Sequence, residues 1–285
     1  MAANALTHTN SSTTVLNLND GVIYQLVEGS PRGIYGVPFD IVTADTPMRR
    51  PRGILLAAQP QARTIEIDLI VHGASRSAII TNLRALRKHL AIDARAGAMG
   101  QLTYTSDSTA QRVFRVTPLV DDREDVESWL RSGAAARGWA IVTLRFLALD
   151  PTCYNPTAVT PSGALSGTGN VSISCANAGD ADAWVTITIG AGGTVATNLK
   201  IWDAYGTWLE FNDTVAAAET LVLTLNPQGL AMTHSVDGNW FHKRVSGSGL
   251  PVVKNGTNNM TFRGGDAGDN GAIAISFYST YTSMG

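Results

Sequence analysis

RTIEIDLIV at 63–71, followed after His72 and Gly73 by SAIITNLRALRKHL at 77–90, decides how the first half of the chain is built. In the first segment Ile65, Ile67, Leu69 and Val71 share one face, and Glu66, Asp68 and Ile70 take the other, the period-two pattern of a half-buried strand. In the second, Ile79, Leu83, Leu86 and Leu90 recur at i, i+4, i+7 and i+11, a single apolar stripe along a helix. Ser75 or Ser77 supplies the N-cap, accepting from a free backbone N–H of the first turn. Arg84, Arg87, Lys88 and His89 are expected near the helix C-terminus, where cations suit the dipole, and on a solvated face.

Outward from this pair the chain reads as strands. GVIYQLV at 21–27 alternates apolar and polar residues, whereas 28–51 carries Pro31, Pro38, Pro47 and Pro51 and is expected to be irregular, with short strands at most. QLTYT at 101–105 and RVFRVTPLV at 112–120 form a hairpin, and WAIVTLRFLAL at 139–149 is a long strand ending at Asp150–Pro151. A short acidic helix is expected at 122–131. The Pro-, Ser-, Gly- and Thr-rich stretch 157–171 is read as the interdomain connection or its first turn. Beyond it come short, evenly spaced strands at 171–175, 184–189, 199–203, 208–211, 220–225, 231–235, 239–245, 259–262 and 272–278, without a helix. That spacing indicates an antiparallel β-sandwich. The fold class is therefore mainly β, with domains at 1–155 and 156–285 and one helix at 77–90.

Composition limits the function. Across 285 residues, 21 Lys plus Arg face 23 Asp plus Glu, and the net charge of -2 gives no electrostatic case for nucleic acid or an anionic membrane. The start, MAANALTHTNSSTT, lacks the basic and apolar regions of a secretion signal, and no apolar run nears the roughly 20 residues of a membrane helix. A soluble chain made in a cytoplasm is expected. Cys153 and Cys175 are read as reduced thiols.

No catalytic, cofactor-binding or metal-binding residue is assigned, and the chain is not expected to be an enzyme. The histidines at 8, 72, 89, 234 and 242 are scattered, and no nucleophile elbow, paired-histidine zinc motif or phosphate loop occurs. GGDAGDNG at 264–271 offers Asp266, Asp269 and Asn270 as oxygen ligands but lacks the spacing and closing Glu of a calcium loop, so a mobile hairpin tip is expected. With a two-residue type I′ turn at Asp237–Gly238, His234 faces Phe241 and Thr233 faces His242, which sends the two histidines to opposite faces. Asp121, Asp122, Glu124, Asp125 and Glu127 read as the solvated face of a helix. Trp202, Tyr205, Trp208 and Trp240 are expected to fill the sandwich core, with a sugar platform as the alternative.

The order of strand, helix, hairpin and a strand closing on FLALDPTCYNP at 146–156 resembles the distal tail protein family of siphophages. So does the second half, through WLEFNDTVAAAETLVLTL at 208–225, MTHSVDGNW at 232–240 and LPVVKNGTNNMTF at 250–262. The resemblance implies an N-terminal ring-forming belt domain and a galectin-like sandwich. It further implies a hexameric ring that joins the tail tube protein to the hub, fibre, receptor-binding or baseplate proteins of a virion tail tip, without a cofactor. A carbohydrate-binding adhesion module is the alternative. The helix at 122–131 and the Pro-rich segment before Pro51 depart from the family pattern and are read as insertions reaching a neighbouring subunit.

Overall fold

The computed structural model describes residues 5–34, 39–44, 54–105, 110–119, 138–190, 196–225 and 230–282, with the backbone alone over 39–44 and 54–60. Contacts divide the chain into two compact units, Met1–Cys153 with Thr282–Gly285, and Tyr154–Tyr281.

The first unit contains β1 (Ala5–Thr9), β2 (Val15–Asn17), β3 (Tyr24–Leu26), β4 (Phe39–Ala44), β5 (Ile54–Pro60), β6 (Arg63–His72), α1 (Arg76–Ala96), β7 (Gly100–Thr105), β8 (Gln111–Pro118) and β9 (Trp139–Ala148). Antiparallel pairing runs β2-β1-β7-β8 and continues through Thr117↔Leu147 into β9-β6-β3. Ile65, Ile67, Leu69 and Val71 of β6 are fully buried, as their alternation requires. The opposite face is polar: Arg32 meets Asp68 at 2.9 Å, Arg145 meets Glu66 at 3.0 Å, and Thr143 donates to Asp68 at 2.6 Å. Helix α1 lays Ile79, Leu83, Leu86 and Leu90, all buried, on β6 and β8. Each such side chain contributes about 1.5–3 kcal/mol by leaving water.

The Ser75 hydroxyl caps the helix, accepting from Ala78 N–H, and Gly97 ends it at φ +59°, a left-handed residue whose N–H donates to Asp93 O. The helix therefore runs past Leu90 to Ala96. Arg84, Arg87 and Lys88 lie mid-helix rather than at its end, Arg95 is the basic residue of the last turn, and His89 is buried rather than solvated. The segment expected to be irregular contains β4, which pairs with β5 in a hairpin bearing a register shift between Val42 and Thr43. Pro38 precedes β4, and Pro47 and Pro51 fall between the two strands, so no proline interrupts β4 itself. The helix expected at 122–131 and the acidic residues Asp121 to Glu127 lie outside the described residues.

The second unit contains β10 (Cys153–Val159), β11 (Ser162–Ala164), β12 (Val171–Asn177), β13 (Val185–Gly190), β14 (Ala196–Thr197), β15 (Lys200–Trp202), β16 (Trp208–Glu210), β17 (Thr214–Val215), β18 (Thr220–Leu225), β19 (Ala231–His234), β20 (Gly238–Asn239), β21 (Gly256–Arg263) and β22 (Ala272–Tyr281). One sheet runs β10-β22-β13-β18-β19-β20, with β11 also on β22, and a second runs β12-β21-β15-β16. Their inward side chains, among them Ile187, Leu223, Ile275, Ile201, Met260 and Phe262, form one core, as a β-sandwich demands. The stretch 157–171 lies within this unit, where it holds the end of β10 and all of β11.

Candidate functional site

The four-stranded sheet sets the candidate surface. Ile201 and Leu209 point into the core, so by period two their neighbours on β15 and β16 point out. Trp202 stands directly opposite Trp208, and Lys200 opposite Glu210, with an ion pair at 2.9 Å. The Lys200 ammonium lies 4.6 Å from the Trp208 ring centre and 5.3 Å from that of Trp202. Register continues the outward row: Trp202 faces Thr261, and Thr261 faces Ser172, whose hydroxyls are 3.4 Å apart.

The turn between β15 and β16 adds Tyr205, 55% exposed. Asp203 fixes that turn, its Oδ1 accepting Tyr205 N–H and Thr207 N–H at 2.9 Å and its Oδ2 accepting Val252 N–H at 3.2 Å. The Tyr205 hydroxyl donates to Asp182 at 3.2 Å, which raises its pKa, and the Lys254 ammonium sits 4.7 Å from the ring centre. The result is two half-buried indoles and an exposed phenol among hydroxyls and ion-paired charges. Such a face offers ring surfaces and hydrogen-bonding groups to solvent. Trp240 alone of the four aromatic residues fills the core, 1% exposed, so the expectation for Trp202, Tyr205 and Trp208 is corrected.

Of the remaining sequence-named residues, His234 and Asp269 act as internal ties. His234 is buried, stacked on Trp240 with centroids 4.3 Å apart; its Nε2 lies 3.2 Å from Glu219, and its Nδ1 accepts Asp237 N–H at 3.2 Å. The turn closes as Thr233↔Asn239 and His234↔Gly238, with Gly238 at φ +73°, instead of the two-residue type I′ form. The loop is Ser235, Val236 and Asp237, and Gly238 supplies the left-handed step that a three-residue hairpin needs. Strand pairing then stops at Asn239; a 3-10 turn at Phe241–Lys243, where a strand was expected, leaves His242 exposed. His234 and His242 therefore belong to different local structures.

Asp269 is buried and its Oδ2 accepts Thr197 N–H at 3.1 Å and Asp266 N–H at 3.0 Å, so this loop is stapled rather than a free hairpin tip. Asp266 and Asn270 are exposed. His72 meets Gln25 Oε1 at 3.1 Å. Cys153 and Cys175 are buried and not joined in a disulfide, and burial pushes the Cys175 thiol up to about 11. Among the described residues no group of three or more His, Cys, Asp or Glu could hold a metal ion, and no helix is long and apolar enough to cross a membrane.

One cluster escaped the sequence reading. His8 of β1 and His89 and Asp93 of α1 meet in the first unit, with His8 Nδ1 3.0 Å from His89 Nε2 and His8 Nε2 3.5 Å from Asp93 Oδ2. The only sequence signal was Asp93 at the next position of the helix stripe, i+3 from Leu90. Burial first, then the neighbouring His89, lowers the His8 pKa to about 4 against the pull of Asp93, and burial lowers that of His89.

No family model matches the chain, and no curated protein matches it in sequence. Solved structures do match in shape. The Dit (gp 19.1) protein of phage SPP1, described as a paradigm of the hub adsorption apparatus in phages infecting Gram-positive hosts, is 16% identical. It aligns over 98% of this chain and 99% of its own with a TM-score of 0.68. A chain of the phage P2 baseplate, in its activated conformation with Ca, is 11% identical and aligns over 100% of both chains with a TM-score of 0.55. Over nearly its whole length, this chain has the fold of the SPP1 Dit protein.

Proposed function

We propose that the chain is a structural component of a phage tail tip, forming a ring that joins the tail tube to the hub and to receptor-binding or baseplate proteins. The observation that carries this reading is the end-to-end correspondence of fold with SPP1 Dit, 98% of one chain on 99% of the other. Unit Met1–Cys153 is the ring-forming belt, and the sandwich is a galectin-like module presented outward; assembly takes place in the host cytoplasm, and the product is part of the virion.

The surface of the first unit supports an assembly role. Val22 is 75% exposed beside Ile23, and with Ala74, Ala78, Asn82 and Gly138 they line an open groove of about 470 Å³. Val15, Leu119, Ile141 and Leu149 are exposed as well. We read the apolar groove at Val22 and Ile23 as a place that another subunit covers. A closed ring satisfies such heterologous contacts without an open end.

Static light scattering over a concentration series, repeated with EDTA and at moderate salt, tests the ring. The expected result is a mass of six copies, insensitive to chelator and salt, because neither a metal nor net charge holds it. Persistent monomer at high concentration, or dissociation on chelation, refutes it.

A second reading, saccharide contact by the sandwich, is favoured by the outward Trp202 and Trp208 pair with Tyr205 beside them. Titration of tryptophan fluorescence with cell-wall polysaccharide should show saturable binding that Trp208→Ala weakens roughly tenfold or more, the loss of one stacking face. Equal binding by the variant, or none by the wild type, removes this reading.

A further inference from the structure

The contacts around His8 fit one arrangement of the ring protons in its cluster. Asn10 Oδ1 accepts Ser12 N–H at 3.1 Å and Thr14 N–H at 3.0 Å, so its Nδ2 is the atom 3.4 Å from His89 Nδ1. His89 Nδ1 is therefore an acceptor, and His89 carries its proton on Nε2. That proton points to His8 Nδ1 at 3.0 Å, which makes His8 the Nε2–H tautomer, aimed at Asp93 Oδ2 at 3.5 Å. The chain of donors runs Asn10, His89, His8 and ends at His8 Nε2–H, which makes no hydrogen bond, and in this arrangement both imidazoles are neutral. A further proton on either ring would bring two donors face to face, at His8 Nδ1 or at His89 Nδ1.

The cluster has no room to adjust. His8 and Asp93 are fully buried, and a Cβ on Gly100 would overlap both Asp93 Oδ2 and His8 Nε2. The separation of 3.5 Å between His8 Nε2 and Asp93 Oδ2 is too long for a good hydrogen bond, so Asp93 stabilises a His8 cation weakly. Its other oxygen is taken, accepting Ser11 N–H at 2.6 Å. The groups that face the rings from the packed elements are few. Helix α1 supplies Asp93, β7 supplies Gly100 and Leu102, and β9 supplies Phe146, its ring centre 5.3 Å from that of His8. Tyr104 stands two residues along β7, opposite Leu6. Asp93 is thus the one carboxylate in contact with the pair among the described residues.

We infer that His8, His89 and Asp93 form an acid-sensitive latch, in which neutral imidazoles hold the β1–β2 hairpin against helix α1 and their protonation releases it. The hairpin is a suitable moving part: β2 is the outer strand of its sheet, and besides β7 and this cluster it is the buried Leu6 and Leu18 side chains that oppose its departure. The sign follows from the rings being neutral when latched and free to protonate when released. Above the ordinary histidine value of 6.5 the latch is intact, and it weakens as pH falls from there toward about 4. The inference rests on the cluster and not on the tail-tip reading.

Hydrogen–deuterium exchange of the full chain at pH 7 and pH 4.5, corrected for the intrinsic pH dependence, provides the test. Exchange at β1 and at the α1 segment 86–93 should rise on the order of 10- to 100-fold, while β18 in the other unit changes little. His8→Phe, which keeps an aromatic ring but cannot protonate, should flatten that response. An unchanged response in the variant, or an equal rise in both units, overturns the latch. Should His8→Phe fail to fold, imidazole proton resonances of the wild type decide: rings that titrate near 6.5 while β1 stays protected also overturn it.

Discussion

Leu83→Ala and Leu86→Ala should each lower the stability of the first unit by about 2–5 kcal/mol, the range for a buried leucine that leaves a cavity. Both side chains are 0% exposed and lie in the middle of the α1 stripe, over the inward face of β6 formed by Ile65, Ile67, Leu69 and Val71. The sheet below is held by ten consecutive β6–β9 pairs from Arg63↔Ala148 to His72↔Trp139, so it cannot collapse into the vacated space, and the upper part of the range applies. Lys88→Ala, on the solvent side of the same helix, should change stability by less than about 0.5 kcal/mol. Urea unfolding followed by circular dichroism distinguishes the three. Near-wild-type curves for both leucine variants would mean that α1 is not the lid of this core.

The same helix shows why its start was legible and its end was not. Ser75 announces the first turn by chemistry a reader can see, a hydroxyl before a periodic apolar run. The stripe of Ile79, Leu83, Leu86 and Leu90 then continues to Asp93, and a carboxylate at a buried position breaks the apolar pattern though not the helix. What makes Asp93 tolerable there is Ser11 N–H, more than 80 residues earlier in the chain, which donates to Asp93 Oδ1 at 2.6 Å. A local reading sees a polar residue and stops. The turn at 235–238 failed for a related reason: Asp-Gly fits two hairpin classes, and the choice fell to the side of the turn on which Gly238 was needed.

For the candidate surface, residue types were legible and orientation only partly so. Ile201–Trp202 and Trp208–Leu209 each place an aliphatic side chain beside an indole, and in a strand only one of two neighbours enters the core. Sequence does not say which. The structure gives the core to Ile201 and Leu209, and it gives Trp240 a place inside through its stack on His234 and its Nε1–H bond to Asp237 at 3.1 Å. Buried polar ties such as Asp203 and Asp269 were invisible in advance, because their partners are backbone N–H groups that have no signature in the residue string.

Gly179→Ala should destabilise the sandwich by about 3 kcal/mol or more, the upper end of the overpacking range, seen as a fall of roughly 10 °C in the melting temperature of this unit. A Cβ at this position would overlap the backbone carbonyl of Thr280, with the Thr280 nitrogen close behind. A flexible side chain could swing aside, but Thr280 belongs to β22, whose register with β13 carries the centre of the sandwich. The loop would have to lift instead, and Asn177 shows what that costs. Asn177 is 1% exposed and fully used: its Nδ2 donates to Ala181 O at 2.8 Å and Val253 O at 3.4 Å, and its Oδ1 accepts Gly179 N–H at 3.0 Å and Thr280 N–H at 3.4 Å. One amide therefore joins the end of β12, the 181–183 segment, Val253 and β22, and Asn177→Ala, which takes this partner from Ala181 O, Gly179 N–H and Thr280 N–H while Val253 O keeps Ala183 N–H, should also cost about 3 kcal/mol. Gly190→Ala is the control, because no atom lies within 4 Å of its added Cβ and its φ is not positive; it should stay within about 0.5 kcal/mol of wild type. Melting curves that rank Gly179→Ala with Gly190→Ala would show that the corner yields without disturbing the sheet, and would remove Asn177 as the tie that holds it.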